Sequence, residues 1–149
     1  MNGGYSAVAN DYTGGWGIIF ETAIPTEGIS INKALTMEGN GNVITANYRG
    51  RIFDIGSSAV ITFRNVVFRN GGYSNYAGGA MTIESGARVT FENCRFESCT
   101  STTNGGALQI NSGAQATYNG CVFEGCTASN LGGAISRSEE RFSRNAETD

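Results

Sequence analysis

The chain has 149 residues, of which 40% are hydrophobic, which is enough for one domain with a core. Charged residues make up 15% and the net charge is -3, so the composition excludes a polybasic surface for nucleic acid or anionic lipid. Glycine at 22 residues against a single proline predicts many tight turns and few helices, and no window reaches the ~18 apolar residues of a membrane-spanning helix.

In chain order, residues 1–28 read as an N-terminal cap or first coil, with Trp16 covering the coil that follows. The first twenty residues lack a basic start and a long apolar run, and no Asn-x-Ser/Thr acceptor occurs anywhere in the chain. "KALTMEGNG" at 33–41 carries the first half of a pattern that is written out more fully at 49–77, where Phe53, Ile55, Ile61, Phe63 and Phe68 occupy it. Residues 78–104, "GGAMTIESGARVTFENCRFESCTSTTN", and 105–131, "GGALQINSGAQATYNGCVFEGCTASNL", repeat it at a period of 27, and "GGAI" at 132 begins it once more. The closing stretch 136–149, "SRSEERFSRNAETD", carries seven charges and breaks the pattern, so it reads as a charged cap or tail.

Each copy alternates apolar and polar residues over short runs such as M-T-I, V-T-F and C-R-F, the signature of strands with one buried face. Three such strands per 27 residues without a helix predict an all-β, single-stranded parallel β-helix of four to five coils over 29–135. Equivalent residues then stack at about 4.8 Å. Phe68, Phe96 and Phe123 form an internal aromatic column, and Ile55, Ile83 and Ile110 an aliphatic one. The glycine pairs 78/79, 105/106 and 132/133 fall where the chain re-enters the first strand, and they read as turn chemistry, not as a phosphate cradle. Outside, Glu38, Arg64, Glu92 and Asn119 share one column, and Arg69, Glu97 and Glu124 another.

Cys94 aligns with Cys121 and Cys99 with Cys126. Disulfides between coils, disulfides closing each coil's own corner (Cys94–Cys99, Cys121–Cys126) and buried free thiols all fit. With no histidine, only a site using every cysteine would serve zinc.

"FESCTSTTNGGAL" and "FEGCTASNLGGAI", after "FRNGGYSNYAGGAM", resemble the repeat of polymorphic outer membrane proteins, in which a GGA-apolar motif alternates with F-x-x-N. Gly71, Cys99 and Cys126 stand at the last position of that motif, as in cysteine-containing versions of microbes and algae. The resemblance spans about residues 29–135. It implies a right-handed β-helix, export to the cell surface or outside the cell, adhesion to a cell-surface protein or glycan, and membership of a longer chain. In such a chain a leader precedes this region and, in autotransported members, a membrane barrel follows it, so this segment itself does not insert in the membrane. An open end invites end-to-end self-association.

Catalysis by a pectate-lyase-like, polysaccharide-acting site needs convergent carboxylates or an acidic cation site. Of the three aspartates, 11, 54 and 149, only Asp54 lies on a repeat strand, in a column with Thr82, Gln109 and Ser136. Ice binding is a further alternative, since Thr36, Thr62, Thr90 and Thr117 align, but their i+2 neighbours are Glu38, Arg64, Glu92 and Asn119 in place of a second threonine. The remaining reading is a non-catalytic structural or adhesive module, without cofactor, metal or catalytic residues. Tyr73 and Tyr76, in the loop "NGGYSNYAGG", are its ligand-contact candidates.

Overall fold

The computed structural model describes residues 7–12, 15–20, 26–72 and 76–138, with side chains from residue 26 onward. Among them there is no helix. Parallel strands stack into a β-solenoid of about four turns at about 27 residues per turn.

An antiparallel hairpin, β1 (Ala7–Tyr12) and β2 (Gly15–Phe20), borders the stack, with β2 running parallel to β4. The first coil contains β3 (Ile29–Ile31) and β4 (Ala34–Thr45), and the second β5 (Phe53–Ile55) and β6 (Val60–Arg69). The third holds β7 (Met81–Ile83), β8 (Arg88–Glu92), β9 (Arg95–Glu97) and β10 (Thr100–Ser101). The fourth repeats it as β11 (Leu108–Ile110), β12 (Gln115–Asn119), β13 (Val122–Glu124) and β14 (Thr127–Ala128), and β15 (Ile135–Arg137) opens a further turn. The short strands β10 and β14 are an addition to the three strands per coil expected from the sequence. They pair with each other in parallel.

The register follows the sequence alignment. Ile31, Ile55, Ile83 and Ile110 are successive partners along β3, β5, β7 and β11. Leu35 and Met37 pair with Ile61 and Phe63, and these with Val89 and Phe91. Two aromatic columns fill the interior. Phe68, Phe96 and Phe123 stack at 5.0 and 4.6 Å, while Phe63, Phe91 and Tyr118 stack at 5.6 and 5.8 Å. Edge-on contacts join the columns, at 5.2 Å between Phe91 and Phe96. Offset stacks and edge-to-face pairs are the arrangements the ring quadrupole favours.

The corners explain how so short a repeat closes. After Ile83 and Ile110 the chain turns through Gly86 and Gly113, at φ +97° and +92°, and closes with Ala87 N–H on Glu84 O and Ala114 N–H on Asn111 O. A positive φ at the third residue is what a type II turn requires. The next two corners each use one left-handed residue. Asn65, Asn93 and Gly120 form one set and Asn70, Ser98 and Gly125 the other, all with φ between +53° and +69°. Asparagine enters this region more readily than other side-chain-bearing residues. The residue just after each corner faces inward, which sets Val66, Cys94 and Cys121 in one column and Gly71, Cys99 and Cys126 in the next.

Candidate functional site

The outer face of the long sheet is a lattice of ion pairs between coils. Arg64 Nε lies 2.7 Å from Glu92 Oε1, and Arg69 lies 2.9 Å from Glu97 Oε1. The adjacent carboxylates of Glu97 and Glu124 are bridged by Arg95, which sits on the same strand edge and reaches them at 2.8 and 2.6 Å. Arg95 first, then Arg69, holds the Glu97 carboxyl below its usual range. Each of these contacts adds little alone, but Glu97 and Arg95 are shared, which joins Arg69, Glu97, Arg95 and Glu124 into a network. The threonine column is outward facing and in register, with charged or amide residues two positions on, so it presents no Thr-x-Thr face.

On the short-strand sheet, Ser30, Asp54, Thr82, Gln109 and Ser136 form one column across β3, β5, β7, β11 and β15. Although they alternate with core residues, Thr82, Gln109 and Ser136 are buried. Arg51 stitches one wall. Its Nε and Nη2 donate to Ala77 O at 3.0 and 2.8 Å, and Nη1 donates to Glu27 O at 2.7 Å. The other wall is a chain of polar groups: Gln109 Nε2 donates to Ser138 Oγ at 2.8 Å and to Asn111 Oδ1 at 3.3 Å, and Asn111 Nδ2 donates to Glu84 Oε1 at 2.9 Å. Asp54 lies beside Glu84 and Arg51, whose charges act on its carboxyl.

Burial pushes the Asp54 carboxyl up to about 6, the Glu84 carboxyl adds to the shift, and the Arg51 charge offsets only part of it. A folded-state value above the ordinary 3.8 means that Asp54's contribution to stability is full below that value and is lost as the pH rises through about 6. Asp54→Asn therefore removes the loss. Denaturant melts from pH 4 to 8 should show the wild type falling relative to the variant, by on the order of 1 to 2 kcal/mol at pH 8 after allowance for solvent screening.

Tyr76 is half-buried beside this groove, and it is structural in its contacts. Its ring lies 5.4 Å from the Arg51 guanidinium carbon, its hydroxyl accepts from Thr26 Oγ1 at 3.4 Å, and its carbonyl accepts from Ser101 Oγ at 2.9 Å. The Tyr76 ring is thus held against Arg51. Tyr73, the side chain of Trp16 and the tail from 139 lie outside the described residues.

All four cysteines are free thiols in the structure, arranged as two columns between coils. Val122 N–H bonds to Cys94 O and Thr127 N–H to Cys99 O, each at 3.0 Å, so neighbouring strands lock the pairs side by side. Cys94 and Cys99 are fully buried, whereas Cys121 and Cys126 are partly exposed. The sulfurs also repeat their contacts. Cys94 Sγ donates to Phe63 O at 3.3 Å and Cys121 Sγ to Phe91 O at 3.4 Å, each the backbone of the preceding coil.

Pairing within a coil does not fit the strand geometry. Cys94 and Cys99 stand at opposite ends of β9, so at strand rise their Cα atoms are more than about 10 Å apart, beyond the ~7 Å a disulfide spans. The same separation keeps the two columns from forming one four-thiolate centre, and no group of three or more Cys, Asp or Glu among the described residues is placed to hold a metal. Among the described residues no helix is long and apolar enough to cross a membrane.

Compared with known proteins, the chain matches no family model, no curated protein and no solved structure.

Proposed function

We propose that this chain is a non-catalytic structural and adhesive module of a surface-displayed or secreted β-solenoid protein, a rigid stack that holds loops in register. The observation that carries the reading is the use made of the charged side chains. Arg64, Arg69 and Arg95 tie coil to coil through Glu92, Glu97 and Glu124, and Arg51 closes loop carbonyls, so these groups serve the stack. Loops on such a scaffold lose little further entropy on binding, which favours recognition by display.

The repeat motifs that resemble polymorphic outer membrane proteins support the same role, with a cell-surface protein or a glycan as partner. Since Tyr76 is held by Arg51, Thr26 and Ser101, Tyr73 becomes the preferred contact residue of that loop. Beads coated with the chain should adhere to a glycan array or to cultured cells, and Tyr73→Ala should weaken adhesion at least tenfold with an unchanged melting temperature. Wild-type beads that stick to neither surface would discard the adhesive role.

A second reading draws on the groove. Asp54 Oδ1 and Gln109 Oε1 are shielded from solvent and accept no hydrogen bond, and burial beside Glu84 raises the Asp54 carboxyl to about 6. A polysaccharide-acting site would use such a pair as acid and acceptor. Incubation with polygalacturonate and calcium separates the two: unchanged polymer is expected, and shortened or unsaturated products would overturn the non-catalytic reading.

A further inference from the structure

We propose that Cys94–Cys121 and Cys99–Cys126 are two thiol–disulfide exchange sites that staple the third coil to the fourth, with a small disulfide such as glutathione disulfide as the oxidant. The proposal rests on the stacking register and not on the adhesive reading. It holds whatever the loops bind.

Three features of the geometry carry it. The backbone bonds from Val122 to Cys94 and from Thr127 to Cys99 place each pair on adjacent parallel strands. Cα atoms at that spacing, about 4.8 Å, lie within the range a disulfide accepts. The residues before the pairs, Asn93 and Gly120 in one column and Ser98 and Gly125 in the other, share the left-handed conformation, so both Cβ atoms of a pair leave the backbone in the same direction.

The partners within each column also differ in access. Cys94 and Cys99 are sealed in the core, while Cys121 and Cys126, in the fourth coil, are partly exposed. An oxidant therefore meets the outer sulfur first. That sulfur is also the more acidic one. The neighbouring Cys94 thiol pulls Cys121 down to about 6, and the Cys99 thiol pulls Cys126 down to about 7. In return the inner thiols are pushed up, by that same neighbour and by burial. The thiolate is the attacking species in exchange.

The chemistry balances without a metal. The Cys121 thiolate attacks one sulfur of the oxidised glutathione, an S–S bond forms, and one glutathione thiolate leaves. The Cys94 thiol then gives up its proton and attacks the Cys121 sulfur of the mixed disulfide, releasing the second glutathione. Two protein thiols have been oxidised to one disulfide, and one glutathione disulfide has been reduced to two thiols. Cys126 and Cys99 follow the same course.

The test uses the full chain, reduced and then equilibrated in glutathione buffers of increasing oxidation, acid-quenched, alkylated and mapped by mass spectrometry. Two bridges, 94–121 and 99–126, are expected, with a rise in melting temperature of roughly 5 °C or more. Cys121→Ser should leave Cys94 without a bridge and as a slowly alkylated thiol, while the 99–126 bridge still forms. Persistent glutathione adducts on Cys121, a 94–99 bridge, or four thiols still alkylated in the most oxidising buffer would each overturn the proposal.

Discussion

Truncation of Phe96 to alanine is expected to lower the unfolding free energy by about 3 to 5 kcal/mol, the range for a fully buried aromatic whose neighbours cannot collapse into the space. Phe96 is completely buried and lies at 5.0 Å from Phe68, 4.6 Å from Phe123 and 5.2 Å from Phe91. Those rings are held by strands in fixed register, so the cavity stays open. Because coils contact mainly their neighbours, the loss should fall unevenly. Hydrogen exchange of the variant should show faster opening of β12 and β13 than of β4, whereas a uniform acceleration would mean that the stack opens as one cooperative unit. An urea midpoint within error of the wild type would show that the aromatic columns do not hold the core.

Gly79→Ala is the second large effect, and it acts through the backbone. A Cβ at Gly79 would stand 2.3 Å from Gly106 O, 2.3 Å from Thr100 O and 2.8 Å from Gly71 O. All three obstacles are carbonyls of strands and turns that bond to neighbouring coils, so none can swing aside as a flexible side chain would. A cost of about 3 kcal/mol or more follows, in the range of overpacking with backbone displacement. Gly41→Ala provides the contrast. Nothing lies within 4 Å of its Cβ, and only the positive φ of +83° opposes the change, so about 1 kcal/mol is expected. Equal midpoints for the two variants in chemical denaturation would count against close coil-to-coil approach at the Gly-Gly corner.

Much of this architecture was legible from residues alone, and the reason is physical. A one-residue slip would turn a strand's buried set toward solvent, so apolar positions such as Ile55, Ile83 and Ile110 report register directly. The same constraint located the outward columns, including Asp54 with Thr82, Gln109 and Ser136. What escaped the reading sits where no side chain is buried. Asn65, Asn93, Asn70 and Ser98 look like ordinary polar residues, yet their left-handed backbone makes the corners, and the recurrence of Asn just before an inward position was the available signal. Arg95 was overlooked because it reaches diagonally to Glu124, whereas an alignment shows only vertical partners.

The groove was hidden for a related reason. Arg51, Glu84 and Asn111 lie at the ends of strands, where repeat alignment is weakest, and their side chains meet only once the turns close. Tyr76 looked exposed because its segment reads as a loop. Tyr76 itself packs against Arg51 and accepts from donors of two other coils. The cysteine columns were visible as an alignment, while the distance between the two columns is set by β9 being an extended strand.

The central claim is that successive coils are parallel and in register at a spacing of one repeat. NMR scalar couplings across hydrogen bonds test it most directly, because they name donor and acceptor. The structure predicts couplings from Arg88 N to the Ala59 carbonyl, from Gln115 N to the Ala87 carbonyl and from Val122 N to the Cys94 carbonyl. Reciprocal couplings between the same strands, or donors paired one residue out of this register, would contradict the solenoid.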